Sequence, residues 1–176
     1  LVPTGHTNRE KVTERASVVE AIAERLESLY RTYNRREFVS PDTLEFLYRY
    51  EDPGDREIVG LVASSLAYGR VGQIKRSVEA ILDPMGRSPS RFVRDASPES
   101  LRRTFSQFMH RFTTGEEMAG MLLGVHDVLR RYGSLHVLFT RAFDEGAGMI
   151  IPALCRFAGE VNAGYDGRRT SLIPSP

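Results

Sequence analysis

The stretch Asp55–Arg76, DREIVGLVASSLAYGRVGQIKR, decides the fold, because it reads as a helix that is apolar on more than one side. On a 3.6-residue period Ile58, Leu61, Val62, Ser65 and Leu66 form one stripe. Gly60, Ala63, Ser64 and Ala67 form a second stripe of small residues beside it. Such a helix is expected to be buried, with the small stripe admitting a neighbouring backbone. Asp55 is the expected N-cap and Glu57 favours the first turn. At the far end Tyr68-Gly69-Arg70 gives the stop, with Gly69 as left-handed cap and Arg70 at the negative end of the dipole. A second helix led by Val71, Ile74, Val78, Ile81 and Leu82 follows at once.

Outward from this pair, helix starts and stops recur. Ser17 with Glu20 forms a capping box, and Val18, Val19, Ile22, Leu26, Leu29, Tyr30 and Tyr33 mark the apolar face of a helix ending near Asn34. Pro41-Asp42 opens a shorter helix with an aromatic surface of Phe46, Tyr48 and Tyr50. Ser88-Pro89 and Ser97-Pro98 each pair an N-cap with proline at the first helical position. The second of these helices carries Leu101, Phe105, Phe108 and Phe112. Thr114 with Glu117 caps the next, Gly133 closes it, Ser134 restarts the chain, and a last helix runs from near Met149 or Pro152 to Gly164. No segment alternates with period two, so no sheet is expected. The expectation is an all-α array of seven to nine short helices around a buried central helix, with a flexible tail over 1–16, a helical domain over 17–164 and a linker or further segment over 165–176.

At 176 residues the chain suits one domain without staples. Cys155, the single cysteine, reads as a small buried hydrophobe in a reducing compartment. No apolar run reaches a membrane span, so a cytoplasmic location without membrane contact is expected. The net charge of +1 is uneven: residues 70–111 hold nine basic and four acidic side chains, a local +5. With only Lys11 and Lys75 as lysines, that charge is nearly all guanidinium, suited to bidentate phosphate contact.

The four histidines lack metal-ligand spacing, and no phosphate loop, dinucleotide fingerprint or nucleophile elbow occurs, so no metal and no cofactor is expected. Acid pairs such as Asp55 and Glu57 sit at helix starts, where carboxylates belong structurally; an enzyme using these two is a remote alternative. Two stretches point to binding. In AYGR, residues 67–70, Tyr68 is placed to stack on a ligand and Arg70 to grip a phosphate. In MGRSPSRFVRD, residues 85–95, a Ser-Pro helix start with Arg87, Arg91 and Arg94 offers free amides and guanidiniums to a phosphate backbone. For both, the plainer readings are a helix cap and a solvated basic surface.

LYRTYNRREFVSPD, DREIVGLVASSLAYGRVGQI, MGRSPSRFV, GYDG and SLIPSP together resemble the landmarks of an uncharacterised bacterial family, a conserved domain of unknown function, from about Leu29 to the end. That family in turn resembles the helix-hairpin-helix DNA glycosylases, all-helical proteins that extrude a base and cleave its glycosidic bond. The resemblance implies a DNA or RNA partner, a hydrolase or lyase if the whole protein is an enzyme, and a base pocket lined near Tyr68 and Arg70. Family members continue past SLIPSP into the region that resembles the one carrying the glycosylase catalytic Asp, so this chain is expected to lack that segment and no catalytic residue carries over. The alternative is a non-enzymatic scaffold, its aromatic surface meeting a protein partner, a second copy or the further C-terminal segment.

Overall fold

The computed structural model describes residues 8–144, 146, 148–164 and 172–173, and the chain divides into two compact units, 1–40 and 41–176. In the first unit α1 spans Asn8–Tyr33 and is followed by a 3-10 turn, Arg36–Phe38. Ser17 therefore lies inside the helix, not at its start. Of the tail expected over 1–16, residues 1–7 fall outside the described residues and 8–16 belong to α1. The expected apolar face is present but exposed: Val19, Ile22, Leu26, Leu29 and Tyr33 each keep about half or more of their surface in solvent.

The second unit is an array of short helices. A 3-10 helix, Thr43–Arg49, leads to α2 Pro53–Ser65, α3 Val71–Leu82, a 3-10 turn Asp83–Met85, α4 Pro89–Asp95 and α5 Pro98–Phe105. After them come α6 Gly115–Tyr132, α7 Leu135–Ala142 and α8 Ile151–Asn162. Most of the local punctuation works as the residues suggest. Asp42, Ser97 and Ser134 cap their helices through side-chain oxygens, and Thr114 and Glu117 form a reciprocal capping box on α6. Gly133 closes α6 at φ 87.

The all-α class holds, with one departure. Met109–His110 (β1) and Thr113–Thr114 (β2) pair antiparallel in a two-residue ladder. α5 stops at Phe105, so Phe108 and Phe112 do not extend its apolar face; strands of two residues are too short to leave an alternating pattern.

α2 buries Ile58, Val59, Val62 and Ala63 on one face, but α6 is the helix enclosed on most sides. It packs against α4, α5, α7 and α8, and Met118, Leu122, Val125 and Val128 are fully buried. The close backbone approach expected at the small stripe of α2 occurs on α6 instead: Ser64 and Ala67 are exposed, whereas a Cβ on Gly124 would sit 1.7 Å from the Val161 carbonyl oxygen of α8. Gly115 meets the Phe105 carbonyl equally closely. Phe46 is fully buried in the core, which removes it from the expected aromatic surface. Cys155 is exposed, not buried, on the outer side of α8. Of residues 165–176, only Leu172 and Ile173 are described; both are buried, and Asn162 Nδ2 donates to the Ile173 carbonyl at 2.9 Å.

Candidate functional site

The acidic start of α2 does structural work. Asp52, not Asp55, is its N-cap, accepting from the Asp55 amide at 3.0 Å, and Pro53 takes the first turn. Asp55 is thereby free to turn its buried carboxylate toward α4. It accepts from Ser88 Oγ at 3.1 Å, Ser90 N at 2.8 Å and Ser90 Oγ at 2.6 Å. Glu57, half-buried, accepts from the Leu135 amide at 2.7 Å and so caps α7. One turn of α2 supplies the missing acceptors of two other helices, which gives both carboxylates a structural role. The Ser90 amide at the start of α4, where a phosphate was expected, faces an internal anion instead. Ser88 donates to Asp55 and makes no cap bond of its own.

The arginines of the 85–95 stretch differ in how committed they are. Arg94 donates to the Gly133 carbonyl at 2.7 Å, tying α4 to the end of α6. Arg91 pairs with Asp95 at 3.4 Å on an open helix face, a contact of little energetic weight. It borders a groove of about 450 Å³ between α4 and α5, with Ser88, Phe92 and Ser100. Arg87 is exposed and makes no hydrogen bond or ion pair among the described residues. Nearby, burial raises the Tyr50 phenol above its ordinary value, against the opposing pull of the Arg49 guanidinium, and the phenol donates to the Gly86 carbonyl at 3.4 Å.

Tyr68 and Arg70 lie at the other end of α3 from this group, a helix of twelve residues and hence about 18 Å long. The two predicted stretches therefore stand at opposite ends of that helix. α2 ends at Ser65, so Gly69, at φ 113, serves the turn into α3 instead of capping α2. Arg70 occupies the N-cap position of α3, at the positive end of that helix, with its carbonyl accepting from Gln73 N and Ile74 N.

Tyr68 is half-buried, and its hydroxyl is occupied by the β1–β2 hairpin. It donates to the His110 carbonyl at 3.2 Å, which leaves the Thr113 hydroxyl to donate to it. His110 is fully buried beneath. Its Nε2 lies 3.0 Å from the Tyr68 carbonyl, which can only accept, so Nε2 carries the proton; in the neutral ring Nδ1 then accepts from Ser77 Oγ at 2.8 Å. The hairpin is thus locked onto the α2–α3 corner from both faces of the chain.

Two residues at its tip are not among the expected binding residues, Phe112 being expected on the apolar face of a helix that ends at Phe105. The ladder pairs His110 with Thr113, leaving Arg111 and Phe112 as a two-residue turn. Arg111 adopts φ 56, the only positive φ among the described non-glycine residues, at a place where tight hairpin turns favour glycine. Its side chain lies over Gly69, where an added Cβ would come within 3.2 Å of the guanidinium. Phe112 is 65 % exposed, and its ring stacks on Tyr68 with centroids 5.0 Å apart and planes 15° from parallel. Like Arg87, Arg70 and Arg111 make no ion pair among the described residues. Tyr68, Phe112, Arg111 and Arg70 thus form one edge where an aromatic ring and two uncommitted cations face solvent.

A second groove, of about 380 Å³, lies between α2 and α8. Its hydroxyls turn inward, Ser64 to the Leu61 carbonyl and Ser65 to Met121 Sδ, which leaves it apolar and without reactive groups. Among the described residues no three His, Cys, Asp or Glu side chains gather as metal ligands, and no helix is long and apolar enough to cross a membrane.

No curated protein and no solved structure matches the chain. Residues 42–176, which take in the α2 caps, the arginine groups and the hairpin, match the model of one protein family. The chain belongs to that family, whose description is Protein of unknown function (DUF2400).

Proposed function

We propose that the protein binds nucleic acid, as a glycosylase-like helical protein. The observation that carries the reading is the edge at Tyr68–Arg70 and Arg111–Phe112, where two guanidiniums without ion-pair partners among the described residues, at the two limits of the most basic segment, accompany an exposed aromatic ring. Arg70 stands at a helix N-terminus, where the dipole adds to its attraction for an anion. Arg87 and Arg91 extend the cationic surface beyond the far end of α3. Arg94 is left out, because its guanidinium already serves the Gly133 carbonyl. Tyr68 has the role of seating the hairpin, in place of the ligand contact its sequence position suggested.

The test is titration of labelled single- and double-stranded oligonucleotides at several salt concentrations. Binding should weaken as salt rises, and Arg70→Ala and Arg87→Ala should each lower affinity for all sequences alike and reduce the slope of log K against log salt by about 0.9 on duplex. Absence of binding to any oligonucleotide at low salt would remove the reading. A protein-interaction scaffold is the second reading, favoured by the exposed stripe of α1. It predicts association that survives high salt and is lost when Leu26 or Leu29 is made polar.

A further inference from the structure

The hairpin tip has more built into it than a charged surface needs. Phe112 exposes most of its surface, yet its ring is not loose: one face rests on Tyr68, and Tyr68 is fixed by its hydroxyl bonds to the His110 carbonyl and Thr113. His110 meets Tyr68 edge-on with centroids 4.7 Å apart and is itself held by Ser77. A solvent-facing ring is therefore oriented before any ligand arrives, which removes much of the entropy cost of ordering it on binding. Next to it stands an arginine in left-handed backbone, a conformation glycine would hold with less strain.

We infer that Phe112 is a base-stacking residue and that the hairpin receives an unpaired base of a nucleic acid, with Arg111 and Arg70 meeting the adjoining phosphates. The inference rests on the nucleic-acid reading and names the substrate class within it. Bases inside an intact duplex have both faces covered by their neighbours, so a fixed ring finds a free face only on a single strand, a bulge or a base turned out of the stack. Neighbouring guanidiniums supply the charge complement to the backbone that holds such a base.

The chain contains no tryptophan, so Phe112→Trp places a single reporter at the tip. The experiment compares a fully paired duplex, the same duplex with one bulged base, and a single strand. Wild type should bind the two ligands with unpaired bases roughly tenfold more tightly than the duplex. Phe112→Ala and Phe112→Leu should erase that preference while keeping salt-dependent duplex binding. The leucine keeps apolar bulk without a π face and so separates stacking from mere burial. Phe112→Trp should keep the preference, with its fluorescence quenched by the bulged and single-stranded ligands and little by the duplex. Because Phe112 is exposed, unchanged melting of the variants checks that the fold is intact. A preference that persists in Phe112→Ala, or a bound but unquenched Phe112→Trp, overturns the inference and leaves arginine-based binding standing. No binding of any ligand at low salt overturns both and hands the exposed ring to a protein partner.

Discussion

The two ends of α3 carry similar chemistry and use it differently. At the end near Asp83, where α2 and α4 begin, most of the polar groups are committed inside the protein, Asp55 to Ser88 and Ser90, Glu57 to the start of α7 and Arg94 to the end of α6, with Arg87 the exception. At the end near Arg70 the committed groups, Tyr68, His110 and Ser77, form a base; Arg70 and Arg111 make no ion pair among the described residues, and Phe112 leaves most of its surface exposed. The contrast teaches that residue type does not separate structural from binding roles. A carboxylate or guanidinium that completes another helix's termini is committed before a ligand appears. The candidates are those left over.

If the first region is structural, its loss should be felt in stability and not in binding. Asp55→Ala leaves three donors without their shared anion in a buried setting and should cost about 3 kcal/mol. Thermal or denaturant unfolding reads this, while oligonucleotide affinity, measured where the variant is still folded, should match wild type. A stable Asp55→Ala variant would mean that the α2–α4 junction is wetter and looser than the hydrogen bonds indicate.

Much of the fold was legible because helix termini have local grammar. Ser97, Thr114, Ser134 and Gly133 act where their residue types suggest, each within three or four residues of its partner. The same grammar misleads when a distant group intervenes. Ser88-Pro89 looks like Ser97-Pro98, but at 88 the side chain turns to Asp55, thirty-three residues away, and no local pattern encodes that. Asp52-Pro53 follows the rule that Ser88-Pro89 only resembles, and it displaced Asp55 from the cap the sequence assigned to it. The hairpin was hidden for another reason. Phe105, Phe108 and Phe112 match a helical period, and a ladder of two residues leaves no alternation to oppose it. Of the five arginine and tyrosine sites read from the sequence, Arg70 and Arg87 are the ones left uncommitted. Arg111 and Phe112 become visible only once the turn is known.

Tyr68 is the residue on which the contrast is easiest to break, because it was expected to face a ligand and is found holding the hairpin. Tyr68→Phe removes two hydrogen bonds and keeps the stack under Phe112, so it should cost about 1.5 kcal/mol of stability with affinity unchanged. An affinity loss larger than the stability loss would put the hydroxyl in contact with the ligand. Arg94→Ala is the matching control in the other region. Loss of its bond to the Gly133 carbonyl should cost about 1 kcal/mol, and the salt slope of binding should stay as it is, whereas Arg87→Ala should change the slope and leave stability alone.

The smallest expected effect is also the one with an unusual sign. An L residue in left-handed backbone is strained by roughly 1–2 kcal/mol, and glycine relieves that strain but gives back part of it as unfolded-chain entropy. Arg111→Gly should therefore stabilise the protein by about 0.5 kcal/mol, a small rise in melting temperature. If Arg111 were only a solvated surface charge, the variant would be more stable and bind equally well. If it stands in the turn to meet a phosphate, the same substitution should lower oligonucleotide affinity and flatten the salt slope while the fold becomes firmer. Stability and binding moving in opposite directions at one residue is the signature expected of a group held for a ligand. A loss of stability in Arg111→Gly would show that the guanidinium lying over Gly69 contributes more to the fold than its backbone takes away, and Arg111 would then belong with Asp55 and Arg94 on the structural side.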